Sequence, residues 1–139
     1  MWQRIQTIFL LLALGLETSL FLAPVWREGA AVHSIGVFMW TNSQGLFPAL
    51  ASVLLPASAG ITLATLFLYR RRTRQIRLCR WNIAVLTGIQ ALIAFYFATT
   101  EMHFLTPAVF PAMAVALHFM AVCYIRRDEE LVRAADRLR

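Results

Sequence analysis

Four long apolar runs, separated by short polar links, constrain this chain more than any other feature of its sequence. The runs cover about residues 5–25, 46–69, 81–99 and 104–125. Each has roughly the 20 residues that an α-helix needs to cross the hydrocarbon core of a bilayer. None shows the apolar–polar alternation of a membrane β-barrel strand. The sequence therefore predicts an all-α membrane protein with four transmembrane helices in an antiparallel bundle.

The composition agrees with a membrane location. Of the 139 residues, 60% are hydrophobic and 14% are charged, whereas soluble domains are about half apolar and about one-quarter charged. This length suits one domain, covering residues 1–139. The first run is too long for the apolar part of a signal peptide, so we expect it to remain as a helix. Pro56 within the second run predicts a kink.

The positions of the arginines predict the orientation. All thirteen basic residues are arginines, and four crossings would place twelve of them on one side of the membrane. They precede the first run, fill the link at 70–80 and follow the fourth run, and only Arg27 lies on the opposite side. The positive-inside rule assigns the arginine-rich side to the cytoplasm. We therefore expect a multi-pass protein of the bacterial inner membrane with both termini in the cytoplasm.

The arginine-rich link and the tail after Ile125 form a candidate docking and lipid face. Anionic headgroups attract each arginine near the surface by about 1 kcal/mol, and no recognition motif for nucleic acid accompanies the charge. The tail has strong helix formers and no Gly or Pro, which predicts a helical continuation to residue 139. Its mixture of acids and arginines indicates defined salt bridges and a partner among other membrane protein subunits, and a passive surface helix is the alternative. The residues of this face are Arg4, Arg70, Arg71, Arg72, Arg74, Arg77, Asp128, Glu129, Glu130, Arg133, Asp136 and Arg137.

Glu17 is the least expected residue of the first run. An acid inside a membrane is costly and by default marks a functional site. Depths counted from the ends of the runs match Ser58 and Gln90 best to Glu17, and place His118 about 8 Å away in depth. The candidate intramembrane polar site is therefore Glu17, Ser58 and Gln90. The favoured interpretation is a protonated acid hydrogen-bonded across the bundle, and the handling of protons or ions is the alternative.

No catalytic residue, cofactor or metal is predicted. His118 is the only histidine inside a run, and His33 and His103 are expected at the opposite surface, so no axial pair for a haem can form. Cys79 and Cys123 form no CxxC motif, and the sequence offers no further zinc ligands at their depth. No nucleophile and base can be paired by spacing.

The two links on the side opposite to most of the arginines differ in length. The link at 27–47 is the longest, and its stretch Ile35–Trp40 is apolar but too short to cross a bilayer. We expect this stretch to lie in the outer interface or to cap the bundle. The link around Glu101 is very short, so the third and fourth runs are expected to form a helical hairpin.

Three segments resemble one known family. They are residues 3–7 (QRIQT) with the apolar run opening at Leu10, residues 74–79 (RQIRLC) with Asn82 shortly after, and residues 128–139 (DEELVRAADRLR). In this order they are similar to a family of small bacterial membrane proteins, mostly from Bacteroidota, catalogued as a domain of unknown function (family 4293). The resemblance implies four transmembrane helices over the full length and no established activity. The chain differs in using Arg where the family often has Lys, and in carrying Glu17.

These observations favour a non-enzymatic accessory or scaffolding subunit of a larger inner-membrane assembly. Small size, the lack of a catalytic constellation and a distinctive cytoplasmic face motivate this expectation. A small transporter or ion-binding protein that uses Glu17 is the first alternative, and a membrane-bound enzyme is the least supported one.

Overall fold

Four long α-helices make up most of the described chain. The computed structural model describes residues 3–28, 31–34, 46–68, 71–99, 103–104 and 106–137. The helices are α1 (Gln3–Leu22), α2 (Leu46–Phe67), α3 (Arg72–Thr99) and α4 (Phe110–Arg137). Each is long and apolar enough to cross a membrane. The prediction of four helices of transmembrane length is confirmed.

The helices do not end where the apolar runs end. α1 ends at Leu22 because Pro24, which cannot continue the helical hydrogen bonds, begins a strand. α3 begins at Arg72, nine residues before the predicted start of the third run. α4 continues to Arg137, twelve residues past the predicted end of the fourth run. Arginine is as good a helix former as leucine, so a change from apolar to basic residues does not stop a helix.

A small antiparallel sheet, which was not predicted from the sequence, joins the link after α1 to the link between α3 and α4. Both links lie at the end of the bundle opposite to the arginine-rich link. The strands of the sheet are β1 (Pro24–Glu28), β2 (Ala31–Ser34) and β3 (His103–Phe104), in the order β2-β1-β3. β1 lies in the middle, and its register with β2 shifts between Pro24 and Trp26. A 3₁₀ helix (Thr106–Val109) leads from β3 into α4. The predicted apolar stretch at 35–40 and the link residue Glu101 lie outside the described residues.

The interior has two apolar clusters with polar residues between them. We call the end of the bundle next to the strands the sheet end, and the end with residues 71–80 and 126–133 the arginine end. The sheet-end cluster has nine buried residues: Leu20, Val25, Ala51, Leu55, Leu86, Ile89, Ile93, Ala108 and Ala114. The arginine-end cluster is smaller and consists of Leu10, Cys79, Ala121, Val122 and Ile125. The helices pack against one another at both apolar clusters. The polar residues between the two clusters form the site described next.

The outward surface of the helices is apolar. Large side chains such as Leu11, Leu12, Val53, Phe95 and Phe119 are exposed. Exposed apolar patches of this extent mark a membrane or protein contact. Such a surface suits contact with lipid chains along the middle of all four helices.

Candidate functional site

One buried polar residue from each helix meets at the centre of the bundle. The four are Glu17 from α1, Thr62 from α2, Asn82 from α3 and His118 from α4, and each is at most 1% exposed. We call them the central cluster. Each occupies one position of its helix's buried stripe, in which buried residues recur every three or four positions. That spacing keeps one helical face directed inward, so an inward polar residue on each helix brings the four together.

The Thr62 hydroxyl is the hub of the cluster. Its Oγ1 lies 3.0 Å from both carboxyl oxygens of Glu17, to which it is placed to donate. It is 3.2 Å from Nε2 of His118 and 3.2 Å from the Ser58 carbonyl oxygen. Asn82 Nδ2 donates to this same Oγ1 at 2.7 Å. A single hydroxyl thus links α2 to each of the other three helices.

Asn82 makes the second set of links across the bundle. Its amide nitrogen lies 3.2 Å from Oε1 of Glu17 and 3.0 Å from Nε2 of His118. Its side-chain oxygen is buried without a hydrogen-bond partner. The amide is therefore oriented by the acceptors around its nitrogen, which include a carboxyl oxygen and a ring nitrogen.

The surroundings of His118 define which ring nitrogen carries the hydrogen. Nδ1 lies 2.9 Å from the Ala114 carbonyl oxygen, and a carbonyl oxygen only accepts, so Nδ1 is the donor. In the neutral ring Nε2 is then an acceptor. That role matches the Asn82 amide nitrogen that faces it. Glu17 and His118 are therefore connected through two shared partners, Thr62 and Asn82.

The central cluster has room for one more proton. The Thr62 hydroxyl and the Asn82 amide supply three hydrogens. They face five acceptor atoms, namely two carboxyl oxygens of Glu17, Oγ1 of Thr62, Nε2 of His118 and the Ser58 carbonyl oxygen. The acceptors therefore outnumber the hydrogens, so an added proton would find an acceptor within the cluster.

The structure brings together only part of the predicted intramembrane site. Ser58 is buried, and its hydroxyl lies against the Glu17 carboxyl without a hydrogen bond of good geometry. Gln90 is not in the cluster, since the described hydrogen bonds of Glu17 are with Thr62 and Asn82. Gln90 is half-buried nearer the sheet end, and its side-chain oxygen is buried without a hydrogen-bond partner. The residue of α3 that meets Glu17 is Asn82, eight residues before Gln90.

The interior is less polar on the sheet side of the central cluster than on the arginine side. Towards the sheet end, the buried residues are mostly apolar, among them Leu20, Leu55 and Leu86, and Ser52 and the side-chain oxygen of Gln90 are the polar groups buried there. Towards the arginine end, the buried set includes Gln6 and Gln75 as well as Leu10 and Cys79. A polar species inside the bundle therefore meets a thicker apolar barrier towards the sheet end.

An apolar cavity of about 290 Å³ adjoins Glu17 from the outside of the bundle. It lies between α1 and α2 and opens beside exposed Leu22 and Pro56. Phe21, Leu55 and Ala59 form much of its wall. Because the hydrogen-bond partners of the Glu17 carboxyl are on the inner side, the carboxyl oxygens are turned away from this cavity towards Thr62 and Asn82.

The predicted docking and lipid face is described in part. Arg72 Nη2 lies 2.9 Å from Asp128 Oδ2, which ties the start of α3 to α4. Arg133 and Glu129 form an ion pair at 2.6 Å within α4. The exposed members are Arg71, Arg74, Arg77, Glu130 and Arg133. Arg70 and the side chains of Arg4, Asp136 and Arg137 lie outside what the structure describes.

Metal ligands are not grouped within the described part of the chain. No set of three or more His, Cys, Asp or Glu residues close enough to hold a metal ion is found there. Cys79 is buried and Cys123 is exposed, and both are free thiols.

The part of the central cluster that was not predicted from the sequence could have been found from the buried stripe of α3. In that stripe Asn82 falls between Cys79 and Leu86.

Comparison with known proteins identifies the family but no activity. The family described as a domain of unknown function (DUF4293) matches residues 2–138, and the chain belongs to it. This confirms the resemblance that the three sequence segments indicated. No curated protein and no solved structure matches the chain significantly.

Proposed function

We propose that this protein is a non-enzymatic accessory or scaffolding subunit of a larger assembly in the bacterial inner membrane. The observation that carries the proposal is the length of α4, which has 28 residues. At 1.5 Å per residue it is about 42 Å long, some 12 Å more than the hydrocarbon core. Its last described turns, at 131–135, are exposed on all sides. A helix that protrudes in this way gains nothing from its own bundle and suits a partner.

The protruding part of α4 has an apolar stripe. Leu131 and Val132 are 53% and 43% exposed, and Leu131 is opposite to Glu129 and Arg133 in the helical repeat. A stripe of this kind is the feature that helix-in-groove recognition uses. It supports a protein partner, because anionic headgroups alone would favour a purely basic surface.

The proposal includes an antiparallel bundle with both termini in the cytoplasm. Two contacts between α3 and α4 support the direction of packing, since Arg72 meets Asp128 and Asn82 meets His118. Ten residues forward on α3 correspond to ten residues backward on α4. The arginines gathered at one end support a cytoplasmic location for that end.

Site-directed crosslinking tests the docking role. A photoreactive amino acid replacing Leu131 in the full-length protein should give a crosslinked adduct of one defined mass in cells. The same group replacing Arg133, which is exposed about 160° around α4 from Leu131, is the control. We expect Leu131→Ser with Val132→Ser to reduce co-purification of that adduct's partner, and Arg133→Ser to leave it unchanged. Recovery of only monomer or homo-oligomer from every variant would contradict the accessory role.

A second candidate is a membrane protein that binds a proton or an ion through Glu17. The observation that favours it is the spare acceptor of the central cluster, in which Glu17 and His118 share Thr62 and Asn82. The apolar layer at the sheet end speaks against a continuous path across the bundle. The cluster therefore supports binding better than it supports conduction.

Infrared difference spectroscopy separates the two candidates. Spectra of the purified protein at two pH values should show a carboxyl C=O band that Glu17→Gln abolishes if the cluster takes up a proton. Glu130→Gln, at an exposed acid of α4, is the control for ordinary carboxyl titration. Identical difference spectra for wild type and Glu17→Gln would leave the cluster with a structural role only.

A further inference from the structure

A cleft at the arginine end lies between α3 and α4. Its volume is about 380 Å³, enough for roughly a dozen waters at about 30 Å³ each. The walls consist of Thr73, Ile76, Arg77 and Arg80 from α3 with Arg126, Glu129 and Arg133 from α4. A single phosphate with its attached glycerol fits this space. We call it the arginine cleft.

The charges in the cleft are not balanced by the protein. Glu129 is its only acid and is already paired with Arg133 at 2.6 Å. The nearby Asp128 is paired with Arg72. Among the described residues, no ion pair with Arg77, Arg80 or Arg126 is found. Three guanidinium groups around one opening repel one another unless an anion lies between them.

Guanidinium groups match the geometry of phosphate. Each presents a planar set of N–H donors that can bind two phosphate oxygens at once. Residues from two helices, Arg80 on α3 and Arg126 on α4, approach the cleft from opposite walls. An anion between them would be held from both sides, unlike one attracted to a flat basic surface.

The aromatic residues beside the cleft are those expected at the level of the lipid headgroups. Trp81, which follows Arg80, is 65% exposed. On the neighbouring helix, Tyr124 stacks against Phe9 with ring centroids 5.4 Å apart, two residues before Arg126. Tryptophan and tyrosine next to arginine are typical of the boundary between headgroups and acyl chains. A phosphate in the cleft would therefore have a lipid chain region directly beside it.

The helix faces above the cleft leave space for acyl chains. One and two turns beyond Arg80, the exposed residues of α3 are Ala84 and Gly88. A Cβ atom added to Gly88 would meet nothing within 4 Å. On α4 the corresponding exposed residues beyond Arg126 are Cys123 and Phe119. A shallow apolar seam thus runs from the cleft along both helices.

We propose that Arg77, Arg80 and Arg126 in the arginine cleft bind the phosphate of an anionic phospholipid, whose acyl chains lie along this seam. The proposal is independent of the accessory role, because the cleft and the stripe with Leu131 are on different sides of α4. It assigns one lipid to one place, whereas the sequence indicated only a general attraction of the basic face for headgroups.

Native mass spectrometry of the full-length protein in detergent tests the proposal. Phosphatidylglycerol should bind saturably with one lipid per chain, and phosphatidylcholine with the same acyl chains should bind at least tenfold more weakly. Arg80→Gln with Arg126→Gln should weaken phosphatidylglycerol binding by about thirtyfold, as expected from two lost arginine contacts. The control, Arg71→Gln with Arg74→Gln, removes the same charge from exposed sites outside the cleft and should change binding less than twofold.

Two further arms distinguish other occupants. Gly88→Leu fills the seam without changing charge, so it should weaken the long-chain lipid and leave a dihexanoyl analogue unaffected. Inorganic phosphate that competes as well as the lipid would overturn the lipid assignment. Equal weakening by the cleft and control pairs would also overturn it, since it would show a diffuse charge effect. Circular dichroism of each variant checks that the helices are intact. Arg126→Lys provides a milder test, because lysine keeps the charge but lacks the forked set of N–H donors. This variant should lower the affinity for the lipid severalfold.

Discussion

Replacing Thr62 by valine removes the hub of the central cluster while keeping its shape. The substitution deletes the hydroxyl that donates to Glu17 and accepts from Asn82. Hydrogen bonds between helices in a membrane are worth about 0.6 kcal/mol on average and up to about 1.7 kcal/mol. Losing two of them predicts a fall of roughly 1 to 3 kcal/mol in the free energy of unfolding. We expect about 2 kcal/mol, because the carboxyl and the amide are left buried with fewer partners.

The chain provides a matched control one turn away. Thr65 is on the same helix and is equally buried, but its hydroxyl donates to the Ile61 carbonyl oxygen of its own helix. Thr65→Val therefore removes no contact with another helix and should cost under about 0.5 kcal/mol. The measurement is unfolding by SDS in mixed micelles, followed by tryptophan fluorescence. Equal losses for the two variants would refute the view that the cluster joins the helices.

The remaining predictions concern topology, the acid and the ion pair. Reporter fusions after Arg139 should indicate the cytoplasm and fusions near Gln44 the outside, and an outside signal at Arg139 would exclude the proposed orientation. Glu17→Gln should keep near-normal yield, because Gln can still accept from Thr62 and Asn82, whereas Glu17→Leu should lower yield by leaving both without their acceptor. Asp128→Asn should reduce the free energy of unfolding by no more than about 1 kcal/mol, since its pair with Arg72 is partly exposed, and a loss above that would show that the pair belongs to a wider network.

The four helices were predictable because their signal depends only on length and hydropathy. Runs of about 20 apolar residues have few alternatives in a chain of this size. The sheet was not predictable in the same way. β1 and β3 come from different links, so their pairing depends on residues that are far apart in the sequence. Short strands of this kind carry no run long enough to reveal them.

The central cluster was only partly predictable. Glu17 is conspicuous because an acid is rare inside an apolar run. Ser58 was placed beside Glu17 correctly, but Gln90 was predicted instead of Asn82 because depth was counted from the ends of the apolar runs. α3 begins at Arg72, so Gln90 is about 27 Å along this helix and Asn82 about 15 Å. A count from the Arg72–Asp128 contact would have placed Asn82 and His118 level with each other.

The packing of the first helix against the last has a consequence for how the protein is made. α1 packs more extensively against α4 than against any other element, and His118 is the last residue of the central cluster to be synthesised. Until α4 is made, Glu17 can meet Thr62 and Asn82, but α1 lacks the helix against which it packs most extensively. A chain that ends before α4 would therefore leave the central cluster open on the side where His118 contacts Thr62 and Asn82. Completion of the last helix is the step that closes the bundle around the cluster.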